Sequence, residues 1–157
     1  MRRAFQNALL GAYRLVFARG LMRLAWGRRL FFAGYGLYKN AFEAGPIDAL
    51  RAYVPAGALV VDVGAFAGFF TERFARWTGP AGRVVAIEPE EVNFAELTRR
   101  LARKGLADRV AAHRALADAA GGPAHLVVNP DHPGDHRLGD AGVPVEAVTL
   151  DEVVLAD

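Results

Sequence analysis

Apolar and polar positions follow two different periods between residues 59 and 113. Short apolar runs predict three strands at Leu59–Val63, Arg83–Ile87 and Arg109–His113. The two intervening stretches, Phe69–Trp77 and Val92–Lys104, carry their apolar residues at helical spacing and predict helices. Strands that alternate with helices favour a parallel sheet with right-handed crossovers.

The pattern changes after Asp118, where polar and turn-forming residues become frequent. Two extended runs, His125–Val128 and Val143–Leu150, flank a loop rich in Pro, Gly, Asp and His at residues 129–142. Their order favours a β-hairpin rather than another strand–helix unit. The predicted fold class is therefore α/β: an incomplete Rossmann-like sheet of about three parallel strands with flanking helices, followed by a β-hairpin.

The start of the chain predicts a basic helical N-terminal arm at residues 1–45, ahead of an α/β domain at residues 46–157. Residues 2–19 place apolar side chains on one helical face, whereas residues 21–32 are apolar and basic without a clean face. Glycine and proline at Gly34-Tyr35-Gly36 and Gly45-Pro46 predict breaks in this arm.

The formal net charge of +2 conceals an asymmetry along the 157 residues. Residues 1–42 contain eight Lys and Arg residues and no acid, whereas the remainder contains eleven basic and seventeen acidic residues. This division argues against a nucleic-acid partner, which a globally basic protein would favour. Two interpretations of the arm stay open: it packs on the domain, or residues 2–32 lie on an anionic membrane as a peripheral contact.

The chain contains no cysteine. Disulfides, thiolate zinc sites and cysteine nucleophiles are therefore excluded. A chain without cysteine fits a reducing compartment, and we expect a cytoplasmic protein, with peripheral attachment to a membrane as the alternative.

A glycine-containing turn follows the first predicted strand, since Asp62-Val63-Gly64-Ala65-Phe66-Ala67-Gly68 leads directly into a helix. An acidic residue, Glu88, ends the second strand twenty residues after Gly68. A turn and an acid so placed are typical of a site for an adenosine-containing cofactor, in which the acid binds the ribose.

The residue types within this turn favour S-adenosylmethionine over a dinucleotide. In the dinucleotide fingerprint a central glycine lets the backbone approach the pyrophosphate, and Phe66 would obstruct that approach. We expect Gly64 to permit the tight turn and Gly68 to let the helix pass close to the strand. Asp62 would hold nearby amides and favour the cationic groups of the ligand, and Glu88 would accept from both ribose hydroxyls.

Small apolar residues follow the third strand, where the adenine of such a ligand would lie. Ala115 and Leu116 could form a wall for the adenine, and core packing explains these two residues equally well.

Four segments, in this order, resemble the FkbM family of S-adenosylmethionine-dependent methyltransferases. They are Val61–Ala65 with Gly68 and Thr71, then Gly82–Pro89, Ala115–Gly121 and Val148–Asp151. The resemblance implies a Rossmann-like methyltransferase sheet and S-adenosylmethionine as the cofactor. It also implies O-methylation of a hydroxyl on a small-molecule or glycan acceptor, such as a sugar, a glycolipid or a polyketide-type product. The predicted cofactor-binding residues are Asp62, Gly64, Ala65, Gly68, Glu88 and Ala115.

This sequence departs from the family pattern in two places. The family usually has Asn where this chain has Phe66, and it continues past the Thr-Leu-Asp segment, whereas this sequence ends at Asp157. We therefore expect the N-terminal half of a methyltransferase, active only when the other half completes it. The strand Leu59–Val63 would then need a partner, a second layer or the arm to cover its unpaired edge. The alternative is a non-catalytic membrane- or partner-binding module with a vestigial cofactor fold.

Methyl transfer to an alcohol needs a base for the hydroxyl proton. The loop at residues 131–137 concentrates Asp and His side chains, and within it His136 is the candidate base and Arg137 the candidate contact to the acceptor. A solvated loop explains the same residues. Because the spacing is not that of a dedicated metal site, we expect no metal. His113 and His125 are expected to have structural roles.

Overall fold

The computed structural model describes Leu21, residues 24–129 and residues 134–156. The chain divides into two compact units, Met1–Ala49 and Leu50–Asp157. The helix predicted over residues 2–19 lies outside the described residues.

The described part of the first unit is one helical run. Helix α1 (Ala25–Tyr38) passes through a π-helical turn (Lys39–Glu43) into helix α2 (Ala44–Asp48). The predicted break at Gly34-Tyr35-Gly36 was wrong, whereas the one at Gly45-Pro46 falls at the start of α2, just after Glu43 with its φ angle of −117°. A glycine inside a helix costs only about 1 kcal/mol relative to alanine, and Pro46 lies in the first turn of α2, where its missing N–H is not needed.

The second unit is built on a parallel sheet of three strands in the order β1-β2-β3. These strands are β1 (Leu59–Val63), β2 (Arg83–Ile87) and β3 (Val110–His113). Their parallel register aligns Val61 with Val85 and Val85 with Ala111. The predicted α/β fold class with three parallel strands is confirmed, and within the described residues β1 has β2 as its one strand neighbour.

Two helices cover one face of this sheet. They are α3 (Phe69–Trp77), between β1 and β2, and α4 (Glu91–Lys104), between β2 and β3. Because side chains alternate across a strand, every second residue of β2 faces these helices. The resulting core contains Ala65, Ala75, Val84, Ala86, Leu97, Leu101, Leu106 and Val110.

A second sheet follows, with the strand order β4-β7-β5-β6. Its strands are β4 (Leu116–Ala117), β5 (Gly122–Val127), β6 (Arg137–Gly139) and β7 (Val143–Val148). The predicted hairpin is confirmed as the antiparallel pair of β5 and β7. Strand β6 lies in what was predicted to be a loop, and β4 pairs with β7 in parallel.

A short helix, α5 (Leu150–Leu155), completes the unit. Thr149 and Glu152 form a reciprocal capping box at its start, which satisfies two backbone N–H groups. Val153 of α5 packs with Ala115 against Val85 and Ile87, on the face of β2 that α3 and α4 leave open. The second face of β2 is therefore covered, whereas Leu59 and Val63 of β1 are 47% and 54% exposed.

Candidate functional site

The loop after β1 alternates between ordinary and left-handed backbone. Gly64, Phe66 and Gly68 have φ angles of +74°, +52° and +76°. The N–H groups of Gly64 and Ala65 both donate to the carbonyl oxygen of Ile87, at 2.9 and 3.0 Å. The loop therefore folds back over the carboxyl end of β2. Gly64 is needed for its φ angle alone, since a Cβ atom at that position would meet nothing within 4 Å.

Gly68 allows a close approach to a different element from the one predicted. A Cβ atom at Gly68 would lie 2.7 Å from Cδ1 of Leu97, a residue of α4. The expectation that Gly68 lets the helix pass close to a strand is therefore corrected: the neighbour is the side chain of the adjacent helix. Gly68 also caps α3 at its N-terminus in the left-handed conformation.

Asp62 faces α3 rather than the open edge of the sheet. The Thr71 hydroxyl donates to Oδ2 of Asp62 at 2.5 Å, and Asp62 is only 8% exposed. Burial raises the pKa of Asp62, and the bonds from the hydroxyl and backbone N–H of Thr71 partly offset that rise. Asp62 thus holds a nearby backbone amide, that of Thr71, as the sequence predicted. A direct contact between Asp62 and a ligand stays a prediction.

Glu88 lies at the carboxyl end of β2 and is 4% exposed. Its Oε2 accepts from the N–H of Phe66 at 2.9 Å, and its Oε1 accepts from the N–H of Glu90 at 3.0 Å and from Nδ2 of Asn93 at 3.3 Å. Burial raises the pKa of Glu88, against the lowering effect of these three donors.

Both carboxylate oxygens of Glu88 are already engaged within the protein. A carboxylate oxygen offers two lone pairs, so Oε2 can accept from one ribose hydroxyl while it keeps the bond from Phe66. Acceptance from both ribose hydroxyls, as the sequence predicted, would require Oε1 to exchange one of its two present donors. That part of the prediction stays untested.

Two residues of this arrangement were missed at the level of sequence. Asn93 supplies a side-chain donor to Glu88, and Phe66 supplies a backbone donor. A signal for Asn93 was present, because Glu90 caps α4 and accepts from the N–H of Asn93 at 2.8 Å. A polar residue in the first helical turn after a strand-end acid can reach back to that acid.

Ala115 and Ala65 are buried in the core. Each is 4% exposed, with Ala115 packed beside Val85 and Ile87 and Ala65 in the cluster beneath α3 and α4. Of the two alternatives for Ala115, core packing is what the structure contains. A contact between Ala115 and an adenine ring stays a prediction.

An open cleft of about 520 Å³ lies at the carboxyl ends of β1, β4 and β7. Its wall begins at Val63, the residue before Gly64, and includes two exposed carboxylates. The lining residues are Val63, Ala117, Asp118, Ala119, Thr149, Leu150 and Asp151. The carboxyl ends of parallel strands are where α/β proteins bind their ligands.

His136 and Arg137 lie far from this cleft. Leu126 of β5 is level with Leu138 of β6 and with Val143 of β7, so β6 begins beside the start of β7. The cleft lies at the other end of β7, roughly 17 Å away along the strand direction. The structure therefore does not bring His136 and Arg137 together with the predicted cofactor residues.

The ring of His136 is also engaged in a local contact. Its Nδ1 accepts from the N–H of Asn129 at 3.1 Å, and the side chain of Asn129 donates to Asp135 at 3.1 Å. A neutral imidazole has one acceptor nitrogen, which here is occupied by the backbone. The role of His136 as a base stays a prediction that this geometry does not support. Asp131 and His132 lie outside the described residues.

Within residues 24–129 and 134–156, no group of three His, Asp or Glu side chains is arranged to hold a metal ion. No helix in the same ranges is long and apolar enough to cross a membrane.

No protein-family model and no curated protein matches this chain. Solved structures that resemble part of this chain include proteins described as methyltransferases. A protein described as an rRNA methylase from Clostridium thermocellum is 28% identical, with 46% of this chain and 39% of that chain covered and a TM-score of 0.44. The O-methyltransferase TomG from Streptomyces achromogenes, solved with S-adenosylmethionine, is 31% identical over 43% of this chain and 29% of that chain, with a TM-score of 0.37.

A methyltransferase FkbM from Methylobacillus flagellatus is 23% identical, covers 62% of this chain and 23% of that chain, and has a TM-score of 0.40. All three TM-scores lie below 0.5, so the functions of these proteins do not transfer to this chain. This chain also spans less than half the length of each of them. Membership of the FkbM family therefore stays a prediction.

Proposed function

We propose that this chain binds S-adenosylmethionine at the carboxyl edge of its parallel sheet, as part of a methyltransferase. The observation that carries the proposal is the buried carboxylate of Glu88, which ends β2 and holds the loop after β1 through the N–H of Phe66. An acid at this strand end, beside a left-handed glycine turn, is the arrangement that binds the ribose of an adenosine cofactor.

The loop amides argue against a pyrophosphate ligand. A phosphate site at a strand–helix turn uses backbone N–H groups that point at the anion. Here the N–H groups of Gly64 and Ala65 donate to Ile87, and that of Gly68 donates to Ala65 at 2.8 Å. The N–H of Phe66 donates to Glu88. Four of the five amides between residues 64 and 68 are thus bonded within the protein, which supports a ligand without phosphates.

Charge at this edge supports a cationic ligand. Glu88 directly follows β2, and Asp118 and Asp151 line the adjoining cleft. These acids would repel a pyrophosphate. They would attract the sulfonium and ammonium groups of S-adenosylmethionine, an attraction that the low dielectric near a buried carboxylate strengthens.

For the transfer, bound S-adenosylmethionine would supply a methyl group to an acceptor hydroxyl. The residues of this chain would position the reactants, with Glu88 holding the ribose at the carboxyl end of β2. Asp118 and Asp151 are exposed in the cleft and can accept a hydrogen bond from the acceptor hydroxyl. We propose a sugar, glycolipid or polyketide-type hydroxyl as the acceptor, on the resemblance to the FkbM family.

Equilibrium binding measured by calorimetry tests the cofactor assignment without requiring a complete enzyme. We expect S-adenosylmethionine to bind and NADH not to bind. Glu88→Gln should weaken binding by about tenfold, which is the loss of one charge-assisted hydrogen bond to a hydroxyl. Glu91→Gln is the matched control, since Glu91 is an exposed acid at the start of α4. Equal affinities of the two variants for S-adenosylmethionine would show that Glu88 does not contribute to binding.

A further inference from the structure

Helix α1 carries an apolar stripe that is exposed. The stripe consists of residues at helical positions i, i+4, i+7 and i+11, which share one face: Trp26, Leu30, Ala33 and Leu37. Trp26 is 55% exposed, and Leu30 and Leu37 are each 59% exposed. The residues that α1 buries, Gly27, Phe31 and Phe32, lie on the other side of the helix.

This distribution differs from that of a helix that only packs in a protein. Such a helix has one apolar face toward the core and polar residues toward water. On α1 the buried side holds Phe31 and Phe32, and the exposed stripe is apolar as well. A continuous exposed apolar surface of this kind marks a contact with another molecule or with a membrane.

We propose that the apolar stripe of α1 binds the surface of an anionic membrane, with the helix lying parallel to that surface. The charge of the surrounding sequence distinguishes a membrane from a protein as the surface that the stripe contacts. Residues 1–42 hold eight basic residues and no acid, an excess that an apolar protein groove does not require and an anionic bilayer attracts.

The arrangement of side chains on α1 fits the same occupant. Arg29 is exposed and lies next to Leu30, about 70° around the helix from the middle of the stripe. An apolar face with Trp and Leu, flanked by Arg, is the composition of helices that lie in the membrane interface. Trp26 at the start of the stripe would sit at the level of the lipid headgroups.

Vesicle binding by the full chain tests the proposal. The chain has two tryptophans, so a Trp77→Phe background leaves Trp26 as the reporter. We expect the emission of Trp26 to shift to the blue with phosphatidylcholine vesicles that contain phosphatidylglycerol, and to stay unchanged with phosphatidylcholine alone. Added salt should weaken the binding.

Leu30→Glu should lower the vesicle partition coefficient by more than about tenfold. It replaces methyl groups that would insert into the membrane with a negative charge that the anionic surface repels. Leu138→Glu is the matched control, since Leu138 is 52% exposed on β6. Circular dichroism verifies that both variants fold.

Three results would overturn the proposal. They are no blue shift with anionic vesicles, an equal loss of binding in both Glu variants, or a dimer in sedimentation that Leu30→Glu dissociates without vesicles. The last result would show a second copy of the chain on the stripe instead of a membrane.

Discussion

The backbone N–H of Phe66 donates to Oε2 of Glu88 at 2.9 Å, so a carboxylate at the end of β2 holds the middle of the loop that follows β1. Phe66 has a φ angle of +52°, a left-handed conformation that is unfavourable for a residue with a side chain. The hydrogen bond offsets part of that cost. Glu88 therefore holds this loop together with the carbonyl oxygen of Ile87, which accepts from Gly64 and Ala65.

Removal of the Glu88 carboxylate should destabilise the fold. Glu88→Ala leaves three donors without their acceptor, those of Phe66, Glu90 and Asn93, in a site that is almost closed to water. We expect a loss of about 3 kcal/mol in the free energy of unfolding, measured with urea. Glu91→Ala, whose side chain is 82% exposed, should cost less than about 0.5 kcal/mol. Similar losses in both variants would contradict the account.

The two loop glycines should respond differently to alanine. Gly64→Ala imposes a left-handed φ on alanine in open space and should cost about 1–2 kcal/mol. Gly68→Ala imposes the same backbone cost and also places Cβ at 2.7 Å from Leu97 Cδ1, so it should cost clearly more. Thermal and urea unfolding of both variants provide the measurement. A larger loss at Gly64 would show that the contact with Leu97 is not tight.

The pH dependence of stability should report the burial of Asp62. Burial raises the pKa of Asp62 in the folded protein, so the folded state holds the proton more tightly than the unfolded chain does. The stability contributed by Asp62 is therefore complete below about pH 4 and is lost as pH rises through the folded pKa. The Asp62→Asn variant has no carboxyl group at this position and does not lose stability in this way. Urea unfolding at several pH values should show that its free energy of unfolding rises relative to that of the wild type as pH increases.

Glu72 gives the control of opposite sign. Burial alone would raise the pKa of Glu72, but the hydrogen bond and charge of Arg100, with the charges of Lys104 and Arg76, lower it. The stability from Glu72 is present above its unfolded pKa and is lost as pH falls through the folded pKa. The Glu72→Gln variant should therefore have a lower free energy of unfolding than the wild type at neutral pH, and this difference should shrink as pH falls. The same direction of pH dependence for both variants would contradict the pKa assignments.

Substitution of the predicted catalytic loop residues should leave cofactor binding unchanged. His136→Gln and Arg137→Ala alter side chains at the start of β6, at the opposite end of the second sheet from the cleft. Calorimetric affinities for S-adenosylmethionine should lie within about twofold of the wild type. A tenfold loss in either variant would mean that this loop reaches the cofactor.

The central part of the fold could be predicted from the sequence because its signals are local. The bounds of β1, α3 and β2 agree with the predicted runs, since each run shows one period and ends at a Gly or Pro turn. The strands β4 and β6 have two and three residues, too few to show a period. These strands exist through pairing with β7 and β5, which are distant in sequence.

Helix α5 was not predicted, although the sequence carries a signal for it. Thr149 and Glu152 form the T-x-x-E pattern of a capping box, which predicts the start of α5. In the site, residue types identified Asp62 and Glu88 as the acids, and the structure places them at the ends of β1 and β2. Their hydrogen-bond partners depend on how helices dock on the sheet. The bond from Thr71 of α3 to Asp62 therefore became visible only in three dimensions.

Amide chemical shifts tell most directly whether the loop and Glu88 form a cofactor site, and a 16.9 kDa chain suits this measurement. On titration with S-adenosylmethionine, we predict the largest shifts at the amides of residues 62–68 and 88–90. Glu88→Gln should require a higher ligand concentration for the same shifts. An unchanged spectrum, or shifts confined to residues 25–38, would contradict the proposed site.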